Sequence, residues 1–260
     1  MIKPQVRHIG GWLGLAPKLG DRGYLVCAVP RSGSKFLDEL LISTGVLGKP
    51  REYFNAGARR RRDPVYPTST REQFHKIRTI GATDNGIYAA KVFPSHLQRL
   101  DARIDLFRDL PDLRLVRLRR RDLLGQAISL ARARQTGQFR LDERARRPAY
   151  DHHIIRASLE DILRDERAWD DIFARLTLPR IELDYESLIE YPQRAVDQVA
   201  VLMDVPLPVS IKTSGFYNTI QRDDLSEEWR RRFVGETGDE FAFLATGPTP
   251  PSTPDSASAS

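Results

Sequence analysis

Two rhythms of apolar and polar residues alternate along this chain. "RGYLVCAV" (22–29) and "IYAAKVF" (87–93) are short, nearly continuous apolar runs of the kind found in strands buried within a sheet. "DLRLVRLRR" (112–120), with Leu113, Leu115, Val116 and Leu118 as its apolar members, and "RIELDYESL" (180–188) predict a third and a fourth strand. The second rhythm is helical. In "SKFLDELLIS" (34–43), Phe36, Leu37, Leu40 and Leu41 fall at helical spacing, and Gly45 is placed to end the helix. "DLLGQAISLARARQTG" (122–137) opens on an acidic capping residue and closes at Gly137. "HIIRASLEDILRDERAWDDIFARL" (153–176) is the longest helical pattern, and "YPQRAVDQVAVLMD" (191–204) carries Pro192 in its first turn.

Strands alternating with helices predict an α/β fold, a parallel sheet with helices on both faces. One domain is expected over 21–244, after an N-terminal extension at 1–20 and before a Pro-, Ser- and Thr-rich tail at 245–260 that is expected to be disordered. The stretch "REYFNAGARRRRDPVYPTS" (51–69) has no sustained period and predicts a mobile surface excursion.

Composition narrows the setting. The single cysteine, Cys27, cannot form an internal disulfide and sits inside an apolar run, so it is expected in the core of a protein from a reducing compartment. No stretch approaches 18 consecutive apolar residues, and the N-terminal apolar segment is short and broken by glycine. A cytoplasmic protein with no stable membrane insertion is therefore expected. The net charge of +6 allows either a nucleic-acid binder or a site for a heavily anionic small ligand. The placement of the arginines separates these readings.

The loop "PRSGSK" (30–35) lies between the first predicted strand and its helix, where backbone N–H groups and a helix N-terminus bind anions. Gly33 permits close approach of the backbone to a phosphate, Ser32 and Ser34 add hydroxyl donors, and Arg31 and Lys35 add charge. The spacing Gly, four residues, then Gly-Lys-Ser/Thr of nucleoside-triphosphate loops is missing, and no later strand ends in the plain apolar run followed by aspartate that would hold magnesium. The same logic recurs in "RLVRLRRRDLLGQAISLARARQTG" (114–137). Arg119, Arg120 and Arg121 stand at a strand end and Ser129 lies two turns into the next helix, able to converge on a second phosphate. With the arginines concentrated at strand ends, a compact ligand with two phosphates is favoured over nucleic acid.

"YLVCAVPRSGSKFLDELLISTGVLGKPREYF", "IYAAKVF", "RRRDLLGQAISLARARQTGQF", "RAWDDIF", "IELDYESL" and "QRDDLSEEW" follow one another in the order and spacing of a known family. From about Gly23 to about Trp229 the chain resembles the bacterial carbohydrate sulfotransferases typified by mycobacterial trehalose 2-sulfotransferase, whose relatives are labelled lipopolysaccharide or nodulation-factor sulfotransferases. The resemblance implies a P-loop nucleoside-kinase-like sulfotransferase fold and 3′-phosphoadenosine 5′-phosphosulfate (PAPS) as donor, with its bisphosphate (PAP) as product. It implies that Arg31, Ser32, Gly33, Ser34 and Lys35 hold the 5′-phosphosulfate, although the family usually has threonine where this chain has Lys35. Arg120 and Ser129 would hold the 3′-phosphate, with Arg121 the alternative in a run of three arginines.

Sulfuryl transfer needs an in-line hydroxyl, neutralisation of developing negative charge, and a base. Carboxylates are spread along the chain and no His/Cys cluster has metal-ligand spacing, so no metal is expected and cations must do the neutralising. Arg31 is the first candidate to stabilise the leaving phosphate, and Lys91 at the end of "AAKVF" is the second. Glu52 in "GKPREYF" matches the glutamate assigned as general base in the family. The competing reading of Glu52 is an ion pair with an arginine of 59–62. His96, His152 and His153 compete for the role of base. Tyr53, Phe54 and Tyr150 are candidates to stack on a sugar or adenine, or else core aromatics. The acceptor is expected to be a carbohydrate or glycolipid held by loops within 51–85 and 138–153. The arginine runs 59–62 and 140–147 fit either an anionic acceptor or a solvated face, and the oligomeric state stays open, a homodimer included. Two alternatives remain at this point, a P-loop-like kinase and a basic nucleic-acid-binding protein.

Overall fold

A computed structural model of the chain describes residues 19–61, 63–137, 147–212, 224–238 and 241. Four strands, β1 (Arg22–Cys27), β2 (Ile87–Val92), β3 (Leu113–Arg119) and β4 (Arg180–Asp184), form one sheet in the order β2-β1-β3-β4 with every pair parallel. The helices in chain order are α1 (Ser34–Thr44), α2 (Ala56–Arg60), α3 (Thr70–Thr79), α4 (Pro94–Leu97), α5 (Leu106–Asp109), α6 (Leu123–Thr136), α7 (His152–Arg175), α8 (Tyr185–Glu190), α9 (Pro192–Leu202) and α10 (Asp224–Thr237).

Side chains alternate across a strand, and the two faces of this sheet accordingly belong to two cores. Leu25 and Cys27 of β1 pack with Tyr88, Ala90, Val92 and Leu115 under α6, α7 and α10. Tyr24 and Val26 pack on the other side with Ala89, Val116, Leu37 and Leu41 of α1, and Val196 and Val199 of α9. Cys27 is fully buried, and burial pushes its thiol well above the usual range, which suits a small core residue. The polar exception on the first face is Arg117 of β3, buried against Glu166 at 3.0 Å and Asp170 at 2.6 Å on α7.

Strand order locates the site. From β1 the chain moves to β2 on one side, then crosses to β3 on the other. Connections leaving the carboxyl ends of β1 and β3 therefore diverge, and a crevice opens between them, the usual ligand position in such sheets.

Two expectations need correction, and one helix was not foreseen. The strand predicted over 180–188 stops at Asp184, because the Asp184 carboxylate accepts the Ser187 N–H at 2.9 Å and caps α8. The stretch 51–69 is anchored rather than a loose excursion: Arg51 bridges to Ala90 of β2, Asn55 caps α2, and Tyr53, Phe54 and Tyr66 are buried. Helix α3 went unpredicted, although "STRE" carries the signature of a capping box, with the Ser69 hydroxyl accepting the Glu72 N–H. The extension up to residue 18, the run 140–146 and the tail 245–260 lie outside the described residues. No helix among the described residues is long and apolar enough to cross a membrane.

Candidate active site

The loop after β1 is held from behind. Trp169 donates its indole N–H to the Ala28 carbonyl at 2.9 Å, and Gln126 donates its amide to the Pro30 carbonyl at 2.8 Å. Arg31 and Gly33 both have positive φ, 66° and 86°, so the backbone curls tightly before entering α1. Gly33 caps α1 without any side-chain bond. The N–H groups of Gly33, Ser34 and Lys35 consequently carry no acceptor among the described residues. Ser32 is fully buried, and its hydroxyl has no partner among them either. An uncapped helix end beside a buried, unsatisfied hydroxyl is a cradle for an anion. Lys35 is exposed and turns away from the core.

The second basic constellation meets this loop directly. Arg31 donates from Nε to the Ser129 hydroxyl of α6 at 2.9 Å, and Arg120 reaches the Arg31 carbonyl at 3.4 Å. Arg120 also lies over the Tyr185 ring, 4.8 Å from its centre. Neighbours in the arginine run behave differently. Arg119 pairs with Glu166 of α7, and Arg121 pairs with Asp184 at 3.2 Å and Glu186 at 3.5 Å. Arg120 is 12% exposed and Arg121 47%, so Arg120 is the member turned into the crevice. Asp122 fixes this corner: it caps α6 through the Gly125 N–H and takes Arg120 at 3.4 Å and Arg230 of α10 at 2.6 Å.

Burial lowers the hold of Arg31 on its proton, and the charges of Arg120 and Arg132 lower it further. Three guanidinium groups gathered at one sheet edge repel one another and favour an anion among them. Arg132 and Arg230 were not singled out from the sequence. The signal for Arg132 was its spacing, one helical turn beyond Ser129 and hence on the same face of α6.

A third cluster stands at the carboxyl end of β2. The Lys91 N–H binds the Arg51 carbonyl at 2.9 Å, which draws Glu52 alongside Lys91. Its ammonium lies 2.6 Å from Asp38 Oδ2 of α1 and 3.4 Å from Glu52 Oε1. Asn55 donates to the other Glu52 oxygen at 2.9 Å. Arg59 binds the Glu52 backbone carbonyl rather than its carboxylate. Burial raises the Glu52 carboxyl, but the Lys91 charge and the Asn55 amide outweigh it and hold the group below its ordinary range.

Residues 23–236 match the family model described as Stf0 sulphotransferase. The chain belongs to the Stf0 sulfotransferase family. It is similar to the trehalose 2-sulfotransferase of Mycolicibacterium smegmatis, 26% identical over 262 residues that cover 81% of this chain and 93% of the relative. It is also similar to the trehalose 2-sulfotransferase of Mycobacterium tuberculosis, 31% identical over 216 residues, 64% of this chain and 78% of the relative. Among solved structures, a sulfotransferase from Alicyclobacillus acidocaldarius is 14% identical and matches with a TM-score of 0.46 over 89% of this chain and 97% of that one.

Within this Stf0 family chain, several sequence candidates fall away from the crevice. Tyr53 and Phe54 were candidates to stack on substrate, but they are only 2% and 4% exposed and belong to the core. Tyr53 bonds to the Lys49 carbonyl at 3.1 Å and Phe54 packs edge-on against Phe74. Tyr150 bonds Glu236 at 2.8 Å and His152 lies 3.1 Å from the same carboxylate, so both tie α7 to α10. His153 is exposed at the start of α7. His96, by contrast, is buried beside Glu52 and accepts the Phe93 N–H on Nδ1 at 3.3 Å. Burial drives its imidazole down to about 4 against the pull of the Glu52 charge, so it is neutral at physiological pH.

Proposed function

We propose that this Stf0 sulfotransferase moves a sulfuryl group from PAPS to a hydroxyl of a carbohydrate or glycolipid, with Glu52 receiving the hydroxyl proton. The observation that carries this reading is the Arg31–Ser129 bond, which joins the two basic constellations into one anion-binding crevice. Both mycobacterial relatives are named as trehalose 2-sulfotransferases, which supports a sugar hydroxyl as the acceptor.

The residues present fit the donor. The uncapped N-terminus of α1, the unpartnered Ser32 hydroxyl and the Arg31 guanidinium suit its 5′-phosphosulfate. Arg120 and Ser129, across the crevice, suit its 3′-phosphate. When bound, the donor supplies an activated sulfuryl group whose sulfur–oxygen bond to phosphate breaks as the bond to the acceptor oxygen forms. Arg31 then offers fixed, permanently charged donors to the phosphate oxygen that gains charge. Lys91 holds Glu52 ionised and ready to take a proton. Its low proton affinity limits it as a base, and a proton moves to it fully only as the acceptor oxygen loses electron density to sulfur.

Purified protein given PAPS and a panel of sugars that includes trehalose should release the 3′,5′-bisphosphate and a sulfated sugar, both read by mass spectrometry. Glu52→Gln should lower turnover by roughly 10²- to 10⁴-fold and leave bisphosphate affinity almost unchanged. Folded protein that binds neither donor nor bisphosphate would overturn the reading.

A further inference from the structure

Asp38 sits on α1 one turn beyond the anion loop and is 1% exposed. Its Oδ2 holds the Lys91 ammonium at 2.6 Å, while its Oδ1 has no hydrogen-bond partner among the described residues. A sealed, half-satisfied carboxylate is a poor way to stabilise a core, where an apolar pair of similar volume does as well or better. The same ammonium reaches Glu52, whose side chain is one-third exposed at the mouth of the site. Lys91 thus bridges two carboxylates, one closed off and one open to the crevice. The bridge is rigid at both ends, because Lys91 is in register with Val26 of β1 and Asp38 belongs to the helix whose N-terminus forms the loop.

We propose that Asp38 is a positioning residue for Glu52: it holds the Lys91 ammonium against the Glu52 carboxylate and offsets part of that cation's charge. This deepens the reading of Glu52 as the proton acceptor and rests on it. An ammonium at 3.4 Å orients a carboxylate but also weakens it as a base. A second carboxylate on the far side of the cation restores part of that basicity without giving up the orientation. The other groups facing Glu52 are accounted for. His96, after β2, is neutral; Glu39 of α1 is taken by Arg51 at 2.6 Å; Asn55 donates to Oε2; and Arg59 of α2 binds the backbone carbonyl. Burial pushes Asp38 up to about 7 against the pull of Lys91, so its charge changes near neutral pH.

The test is a carboxyl-carbon NMR titration of the full chain, with resonances assigned from Glu52→Gln and Asp38→Asn. In the wild-type protein the Glu52 resonance should show a second, small inflection at the Asp38 midpoint. In Asp38→Asn that inflection should disappear while the lower Glu52 midpoint changes little, and in Lys91→Met the Glu52 midpoint should rise by about one pH unit or more. A purely structural role for Asp38 would give the Glu52 resonance no inflection that Asp38→Asn removes. A folded Asp38→Asn protein that keeps the inflection would overturn the proposal. Should that variant fail to fold, the wild-type titration decides, and the absence of a shared inflection overturns it equally. Retained turnover in Glu52→Gln would overturn the base reading instead, with the titrations unaffected.

Discussion

Arg31 and Ser129 are 98 residues apart in the chain, and the guanidinium Nε donates to the serine hydroxyl at 2.9 Å. One residue leaves β1 and the other lies in the helix that follows β3, so their bond spans the point where the chain reverses its direction across the sheet. It also fixes the orientation of the Arg31 guanidinium beside the loop.

Ser129→Ala should therefore weaken binding of the 3′,5′-bisphosphate by roughly 10- to 100-fold, the scale of a lost hydrogen bond to a charged group. Calorimetry measures the affinity, and thermal melting of the unliganded variant should show little change. An unaltered affinity would mean that the bond serves only the loop.

Arg120 and Arg121 should part company in the same assay. Arg120 shares the crevice with Arg31 and is braced on the Tyr185 ring, whereas Arg121 is occupied by Asp184 and Glu186. Arg120→Ala should cost the bisphosphate at least about ten-fold more than it costs the 5′-monophosphate, since only the former offers a second phosphate. Arg121→Ala should change neither by more than about two-fold. The reverse ranking would assign the 3′-phosphate to Arg121.

That distinction also marks where reading the chain alone reaches its limit. Consecutive strand residues point to opposite faces, so a run of three arginines at a strand end contains the answer without revealing which one turns inward. The alternation of β1, α1, β2, β3 and α6 was legible because continuous apolar runs and helical spacing are local signals. The end of β4 was not, since Ile181, Leu183 and Leu188 keep an apolar pattern across a boundary that is set by the Asp184 cap. Arg51 to Tyr66 looked unstructured because a few anchors, rather than a repeating face, hold that stretch down. The Asp38–Lys91–Glu52 bridge needs the parallel register of β1 and β2 before its members can meet.

Gly33→Ala should damage both stability and binding. Its φ of 86° is strained for any residue with a Cβ, and that Cβ would run into the Tyr185 ring. A loss on the order of 1–3 kcal/mol is expected from the backbone strain, with a further loss from the collision. Tyr185→Ala removes the collision alone, so in that background the Gly33→Ala penalty should shrink without vanishing. Denaturant unfolding of the four proteins resolves the two parts, and an equal penalty in both backgrounds would exclude the steric part.

Asp122 should give the fold a measurable acid sensitivity. Burial raises its carboxyl, but the Arg230 bond, the Gly125 N–H and the Arg230 and Arg120 charges outweigh that and leave it below the ordinary aspartate range. A group whose folded value is depressed contributes stability above its unfolded value and loses it as pH falls through the folded one. The wild-type protein should thus lose stability on acidification across and below the ordinary aspartate range, while Asp122→Asn should begin less stable at neutral pH and show a shallower slope there. The neutral-pH cost should be about 1–3 kcal/mol, because the substitution removes the negative partner of two arginines. Since Arg120 is one of those arginines, the variant should also bind the bisphosphate differently, whereas Asp184→Asn, which leaves the exposed Arg121 paired with Glu186, should leave binding alone. Urea midpoints from pH 7 downward check the sign: a variant whose stability falls in parallel with the wild type would show that Asp122 is not the titrating group.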